Sequence, residues 1–357
     1  MPGGEERAVE DLAWLIRTEL GEETSLLVHD SSRVTSRRAA TALLAGGLRP
    51  RAVADAARGA RVVHAHNVHP AFGWRALAAA REAGARVVLH LHNYRLVCAV
   101  GTCFTQGADC TRCHGRNTLP GVALNCRDSR VESIVYGAAL SLWQRRLVES
   151  VDAFVVPSRF ALQRLRDLGA PLDDRARVIP SVQRSFAASS SAGDGGYALA
   201  AGRLSAEKGF ADAIAACQAA DVPLVVAGDG PQADELRALA GPEVRFTGRV
   251  TPGELAALRR GAALAIVPSR YEEILPLAAL EAMAAGLPVV AARAGGLAEA
   301  VPAEGLYAPG DVASLADRVR ALFGDADAGE RALAAARSRY APAVVAGALR
   351  EVYNPGH

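Results

Sequence analysis

The feature that most restricts the fold is a regular alternation of two patterns along almost the whole chain. Short runs of β-branched and other apolar residues are separated by Ala-, Leu- and Arg-rich stretches of helical period. Strands separated by helices of about 10–15 residues are typical of βαβ units, whose parallel sheets are covered by helices on both faces. We therefore predict an α/β fold with doubly wound parallel sheets. The predicted strands are 25–29, 61–66, 86–92, 153–156 and 176–179, then 197–200, 223–227, 244–246, 264–267 and 288–291.

The alternation is interrupted at residues 183–196, which are small and polar and have no apolar period. At roughly 150 residues per domain, a chain of 357 residues is long enough for about two domains. We predict a first domain at 1–182, a linker at 183–196 and a second domain at 197–340. Since ligands of such folds bind at the carboxyl ends of the strands, we expect a site in a cleft between the two sheets.

Composition and charge exclude several classes of protein. The chain is 50% hydrophobic and 22% charged, which excludes an intrinsically disordered protein. No apolar run reaches the about 18 residues of a membrane helix, and the first residues lack a hydrophobic signal core, so we predict a cytoplasmic protein. Scattered basic residues without interleaved aromatic residues disfavour nucleic-acid binding. The net charge of +6 on residues 1–182 leaves open a peripheral contact with the cytoplasmic face of a membrane.

Two glutamates lie near one predicted helix in the second half. Pro276 suits the first position of a helix and Gly286 suits its end, so we predict a helix over about 276–285 that follows a strand. Its N-terminal amides could bind phosphate, with Glu273 just before the helix and Glu281 within it. Taken alone, the two residues could equally be a solvated acidic loop and a surface glutamate.

A pair of cations follows the first strand of the second domain. Arg203 and Lys208 lie five residues apart at a strand-to-helix turn, and Lys208 is the only lysine in a chain with 40 basic residues. Arginine binds planar oxyanions in bidentate fashion and lysine supplies a point charge, a combination suited to a diphosphate. The alternative is that both residues are solvated surface cations. The presence of the chain's only lysine at this position favours a functional role.

These motifs, in this order, resemble the retaining glycosyltransferases of family 4. Glu273 and Glu281 match the family's E-x7-E motif, and Arg203 with Lys208 matches its diphosphate-binding pair. The turn 228–231 and the segments 246–250, 294–299 and 307–311 also fit in order and spacing. The resemblance covers nearly the whole chain. It implies the GT-B fold of two Rossmann-like domains facing each other across a cleft, with the helix at about 341–357 packing back on the first domain.

The resemblance also implies roles in donor binding. Glu281 would hold the donor ribose, and Glu273 would lie near the hydroxyl groups of the donor sugar. Arg203 and Lys208 would neutralise the leaving diphosphate, so catalysis would need no metal ion or other cofactor. Ile274 and Leu275 replace the Gly-Phe usual in the family, and the lost glycine reduces backbone freedom there. The remaining implied donor contacts are Gly202, Arg249, Val250, Ile274, Leu275, Pro276 and Leu277.

In the first half, His92 ends a predicted strand and matches the family's active-site histidine, whereas we interpret His64, His66 and His90 as structural. Gly3 and Gly4 resemble the family's glycine-rich loop on the acceptor side. That loop normally follows a strand, and no strand pattern precedes it here. We therefore expect the natural product to carry roughly 10–20 further residues that supply the central first strand of the 3-2-1-4-5-6 order.

Five of the six cysteines fall between residues 98 and 126. A C-x2-C pair, Cys110 and Cys113, with Cys98 and Cys126 gives four soft ligands, and we predict a structural zinc site there. Free or redox-active thiols are the alternative. Cys103 is the expected spare cysteine, and His114 is an alternative ligand.

We therefore predict a retaining glycosyltransferase that uses a nucleotide-diphosphate sugar and a saccharide, lipid-linked or small-molecule acceptor. A nucleotide-sugar epimerase or a phosphorylase on the same scaffold is one alternative. A catalytically silent nucleotide-sugar-binding partner is another. The sequence does not identify the donor sugar, its base or the acceptor.

Overall fold

The computed structural model describes residues 4–30 and 35–355. The chain forms two compact units. One comprises Leu12–Ile179 with the residues from Ala346 onward, and we call it the N-terminal unit. The other comprises the residues up to Asp11 with Pro180–Val345, and we call it the C-terminal unit.

The elements alternate as the sequence predicts. The strands are β1 (Val62–His66), β2 (Arg86–His90), β3 (Phe104–Thr105), β4 (Ala108–Asp109), β5 (Ala153–Val156), β6 (Ala176–Val178), β7 (Tyr197–Ala201), β8 (Leu224–Ala227), β9 (Val244–Gly248), β10 (Ala262–Val267), β11 (Val289–Ala292) and β12 (Leu306–Tyr307). The helices are α1 (Gly4–Leu15), α2 (Ser36–Ala45), α3 (Pro50–Ala57), α4 (Gly73–Glu82), α5 (Leu119–Ala123), α6 (Arg130–Glu149), α7 (Arg159–Asp167), α8 (Phe210–Ala220), α9 (Ala233–Leu239), α10 (Pro252–Arg260), α11 (Leu277–Ala284), α12 (Leu297–Ala300), α13 (Val312–Leu322), α14 (Ala326–Tyr340) and α15 (Pro342–Tyr353).

Several helices begin at residues whose side chains cap them. Ser158 accepts a hydrogen bond from the amide of Ala161 at the start of α7. Thr251 forms a capping box with Glu254 at the start of α10, where Pro252 occupies the first turn. Such local hydrogen bonds satisfy amides that have no partner within the helix, so these boundaries can be read from nearby sequence.

Both main sheets are parallel, which confirms the predicted fold class. The N-terminal unit has the order β1-β2-β5-β6, and the C-terminal unit has β12-β11-β10-β7-β8-β9. All six residues of β10 are buried. Leu264 and Ile266 pack into one hydrophobic cluster, while Ala265 and Val267 pack into another. Since both faces of this strand are covered, its sequence is continuously apolar rather than alternating.

One predicted strand is wrong. Residues 25–29, predicted as a buried strand, have no regular secondary structure. Leu26, Leu27 and Val28 are 52%, 47% and 72% exposed. A strand needs a neighbour for its backbone groups and a covered face for its side chains. Among the described residues β1 pairs only with β2, so this run has neither.

Residues 183–196, predicted as a linker, belong to the C-terminal unit. The amide of Ala187 donates to the carbonyl of Ala284 at 2.8 Å. The Ser190 hydroxyl donates to the carbonyl of Gly286 at 2.7 Å. This segment therefore runs along the end of α11.

Backbone contacts tie together the carboxyl ends of β7, β8 and β9. The amide of Gly228 donates to the carbonyl of Gly248 at 2.9 Å, and the amide of Gly202 donates to the carbonyl of Ala227 at 3.0 Å. Gly228 has a φ of +150°, and a Cβ atom at this position would lie 1.8 Å from the carbonyl oxygen of Gly202. Only glycine fits here, and the loops that leave these strands are held side by side.

We expect Gly228→Ala to destabilise the C-terminal unit by at least about 2 kcal/mol, because the backbone must move and an unfavourable φ is retained. The control is Gly253→Ala in α10, where an added Cβ meets open space. That change should be neutral or stabilising by up to about 1 kcal/mol. Urea unfolding of both variants measures the difference, and equal midpoints would contradict this account of Gly228.

Candidate functional site

The predicted donor residues lie on loops at the carboxyl edge of the six-stranded sheet. Gly202 and Arg203 directly follow β7, and Lys208 ends a short 3-10 turn, Ala206–Lys208, before α8. Glu273 lies in the loop between β10 and α11, and Glu281 lies within α11. All of them belong to the C-terminal unit.

An ion pair joins two of these loops. Lys208 Nζ lies 2.8 Å from Glu273 Oε2, although the two residues are 65 positions apart. The side chains are 26% and 6% exposed, so the pair is largely shielded from water. Burial alone would lower the pKa of Lys208, but Glu273 and Tyr271 outweigh it and raise that pKa. Lys208 is therefore a fixed cation across the whole physiological pH range.

The loop that carries Glu273 is held from several sides. The Ser269 hydroxyl donates to Glu273 Oε1. The amide of Gly296 donates to the carbonyl of Glu273 at 2.7 Å, and Glu272 accepts from the amide of Gly295. A Cβ atom on Gly296 would lie 2.1 Å from the carbonyl oxygen of Ile274. The small residues at 294–296 thus allow the loop after β11 to pack against the loop after β10.

Glu281 is paired through both carboxylate oxygens. Oε2 accepts from Arg259 on α10, and Oε1 lies 2.9 Å from Arg7 Nη1 on α1. Glu281 and Arg259 are each 10% exposed. Burial lowers the pKa of Arg259 from its usual value, with Glu281 opposing that effect. Sequence reasoning missed Arg259 and Arg7, because neither lies in a motif and both reach Glu281 only through the fold.

The other predicted donor residues differ in exposure. Arg203 is 70% exposed and lies 3.0 Å from Glu207. Arg249 is also 70% exposed and lies 3.7 Å from Asp229 in the neighbouring loop. Ile274 and Pro276 are buried, whereas Val250, Leu275 and Leu277 are partly buried. Both guanidinium groups therefore combine high exposure with an acidic neighbour, whereas the apolar residues are covered or partly covered.

The predicted acceptor-side glycines lie at the start of the described chain. Gly4 is the first residue of α1, and an ideal Cβ on it would lie 3.7 Å from Leu277 Cδ1. Gly3 lies outside the described residues.

His92 lies just beyond β2 in the N-terminal unit, within a stack of imidazole rings. A hydrogen bond of 2.8 Å joins His92 Nε2 and His66 Nδ1. The rings of His90 and His92 stack with their centroids 4.1 Å apart. Burial lowers the pKa of His92 to about 4, so this imidazole is neutral at pH 7.

The five clustered cysteines line one small cavity. The lining includes the four predicted ligands, Cys98, Cys110, Cys113 and Cys126, together with Cys103. The amide of Gly101 donates to Cys98 Sγ at 3.4 Å. Cys103 lies beside Cys98, and its thiol hydrogen bond is the main cause that lowers the pKa of Cys98 to about 6. The short hairpin of β3 and β4 carries the chain from Cys103 to Cys110. These thiols are therefore brought together by the fold.

No helix within residues 4–30 and 35–355 is both long and apolar enough to cross a membrane.

Two family models match the chain. The model described as glycosyl transferase 4-like domain matches residues 2–181, and the model described as glycosyl transferases group 1 matches residues 196–325. The glycogen synthase of Mycobacterium tuberculosis is 43% identical over 154 residues, which are 40% of this chain and 37% of that protein. The 2-deoxystreptamine glucosyltransferase of Streptomyces kanamyceticus is 35% identical over 196 residues, 50% of each chain. The match thus spans half or less of these relatives.

Solved structures share the fold over almost the whole chain. The complex of HepE from Anabaena with UDP-glucose has a TM-score of 0.64 at 18% identity, covering 98% of this chain and 96% of that one. Sucrose-phosphate synthase from Thermosynechococcus elongatus has a TM-score of 0.67 at 18% identity, covering 98% and 93%. Together with the two parallel-sheet units, these likenesses identify the predicted GT-B fold.

We expect Glu273→Gln to destabilise the C-terminal unit by about 1–3 kcal/mol, because it leaves the Lys208 cation largely buried without its partner. Adding Lys208→Met removes that cation, so the double variant should recover much of the loss. Urea unfolding of the two single variants and the double variant measures the coupling, expected at about 0.5–3 kcal/mol. Simple additivity of the two changes would show that the pair does not interact.

Proposed function

Because the chain belongs to the glycosyl transferase 4-like family, we propose that it transfers a sugar from a nucleotide-diphosphate sugar to a hydroxyl-bearing acceptor, with retention of configuration at the sugar. The acceptor is a saccharide, a lipid-linked sugar or a small molecule. The observation that carries this function is the ion pair of Lys208 and Glu273 at the carboxyl edge of the C-terminal sheet.

Departure of the diphosphate is the step that these residues would assist. Negative charge grows on the leaving diphosphate as the sugar–phosphate bond breaks. Lys208 is positioned by Glu273 before any substrate binds, so its charge can act without reorganisation. Arg203 is exposed and can add a bidentate contact. The first backbone amides of α11 lie at the positive end of its helix dipole and add to this positive charge. With these groups, the chain itself supplies the positive charge that a metal ion provides in other transferases.

The two glutamates would bind the sugar parts of the donor. Glu281 would accept hydrogen bonds from the ribose hydroxyl groups, and Arg259 and Arg7 hold its carboxylate in place. Since both oxygens of Glu281 are already paired, a ribose must share them or displace Arg7, which at 37% exposure is the less buried partner. Glu273 would direct its carboxylate toward hydroxyl groups of the transferred sugar.

His92 would contact the transferred sugar or the acceptor, as its match to the family's active-site histidine implies. A neutral imidazole can donate one hydrogen bond and accept another. The bond to His66 uses Nε2, which leaves Nδ1 of His92 for a hydroxyl group.

The direct test is an assay of purified protein against a panel of nucleotide-diphosphate sugars, with and without saccharide and lipid-linked acceptors. We expect turnover to require an acceptor, and NMR of the product should show the anomeric configuration of the donor. Epimerised donor, or turnover that depends on inorganic phosphate, would instead indicate an epimerase or a phosphorylase. Donor binding without turnover throughout the panel would contradict an enzymatic function.

We expect Lys208→Ala to lower turnover by about 10²–10³, with a smaller effect on the apparent affinity for the donor, because its charge matters most as the diphosphate leaves. Arg318→Ala, which removes an exposed cation on α13, is the matched control and should retain wild-type rates. Near wild-type turnover by Lys208→Ala would remove this residue from the mechanism.

We also propose that Cys98, Cys110, Cys113 and Cys126 bind one structural zinc ion. The support is the convergence of these side chains on one cavity and the amide of Gly101 that faces Cys98 Sγ. Amide donors of this kind stabilise thiolate ligands, and four thiolates suit tetrahedral zinc. The ion would stabilise the segment around the β3–β4 hairpin.

Elemental analysis should find about one zinc per chain that is lost in Cys113→Ser and kept in Cys217→Ala, since Cys217 lies in the core of the other unit. Chelation should accelerate proteolysis within residues 95–130 before other segments. Metal-free protein in which that segment stays protected would discard the zinc site.

A further inference from the structure

Four histidines lie on one face of the sheet in the N-terminal unit. His64 and His66 lie two residues apart on β1. His90 and His92 lie two residues apart at the end of β2 and just beyond it. The parallel register pairs His66 with His90. Because side chains two residues apart share a face, all four imidazoles lie together. The ring centroids of His64 and His66 are 4.8 Å apart, and those of His66 and His90 are 5.1 Å apart.

Several ring nitrogens in this histidine cluster have no hydrogen-bond partner. Both nitrogens of His90 and Nε2 of His64 are buried and unpaired within the part of the chain that the structure describes. His90 is only 7% exposed, so water does not readily compensate. A buried polar atom that is kept from any partner destabilises the folded state. Buried imidazole nitrogens without partners on one face call for a ligand that their lone pairs can bind.

We propose that His64, His66 and His90 bind a divalent transition-metal ion. One ligand nitrogen from each lies within 4.8 Å of the others, so modest ring rotations bring them to the spacing that bonds of about 2.0–2.1 Å require. Imidazole nitrogens suit Zn²⁺, Ni²⁺ and Cu²⁺, and disfavour Mg²⁺ and Ca²⁺, which prefer oxygen ligands. A water molecule completes the coordination, since His92 Nε2 is already hydrogen-bonded to His66 Nδ1 at 2.8 Å.

Tyr353 orients one of these ligands. Its hydroxyl lies 2.7 Å from His64 Nδ1, and the tyrosine is 4% exposed at the end of α15. When Nδ1 donates its proton to this oxygen, Nε2 carries the lone pair, and Nε2 is the atom that lacks a partner. Ligating histidines commonly donate their other ring N–H in this way, which fixes the tautomer. Tyr353 is therefore a positioning residue for the metal site.

Metal binding is measured on the full chain after treatment with EDTA, by dialysis against ZnCl₂ and by titration with Co²⁺. We expect wild type to bind one more equivalent of zinc than His90→Phe, a variant that keeps the stacked ring but removes both nitrogens. Tyr353→Phe should weaken zinc binding by about 10–100-fold. His29→Phe, outside the cluster, is the control and should bind as wild type does. Cobalt bound here should lack the sulfur-to-metal charge-transfer absorption that the cysteines would give.

Thermal unfolding provides a second readout. Without metal, His90→Phe should be at least as stable as wild type, because two orphaned nitrogens are gone. With added zinc, the Tm of wild type should rise with the zinc concentration, and this rise should be absent from His90→Phe. If His90→Phe does not fold, the zinc affinity of Tyr353→Phe still tests the site. Equal metal content in wild type, His90→Phe and Tyr353→Phe, or zinc-independent Tm values in all three, would overturn the site.

Discussion

The ion pair between Lys208 and Glu273 is the interaction on which the rest of the candidate site depends. It joins the loop after β7 to the loop after β10, two strands that lie side by side in the sheet. A carboxylate that is 6% exposed needs compensation for its lost hydration, and here it has Lys208 and the Ser269 hydroxyl. The amide of Gly296 holds the same loop through the carbonyl of Glu273.

The local parts of this arrangement could be predicted from the sequence. The helix expected at about 276–285 is α11, Leu277–Ala284, because Pro276 and Gly286 act on the backbone directly beside them. The apolar run of β10 also predicts a strand by itself, since it is covered on both faces. Residues 25–29 have a similar composition but do not form a strand. A strand needs a partner that is distant in sequence, and composition does not reveal whether that partner is present.

The site depends on more distant contacts, and sequence reasoning therefore recovered it only in part. Motif positions predicted Lys208, Glu273 and Glu281 as site residues. They did not predict that the first two pair, or that Arg259 and Arg7 pair with the third. Histidines at 64, 66 and 90 each fit an ordinary buried position, and His92 was singled out only by its match to a family motif. Their juxtaposition arises from the register between β1 and β2, which only the folded sheet defines.

Lys208 also gives the protein an unusual chemical property. It carries the only side-chain amine in the chain, so an amine-directed reagent has one internal target. That amine is three-quarters covered and held as an ammonium group by Glu273, whereas acylation requires the neutral amine. Labelling at Lys208 is therefore suppressed for as long as the two loops stay closed around their ion pair. The extent of modification at this single residue reports directly on opening of the sheet edge, with no engineered probe.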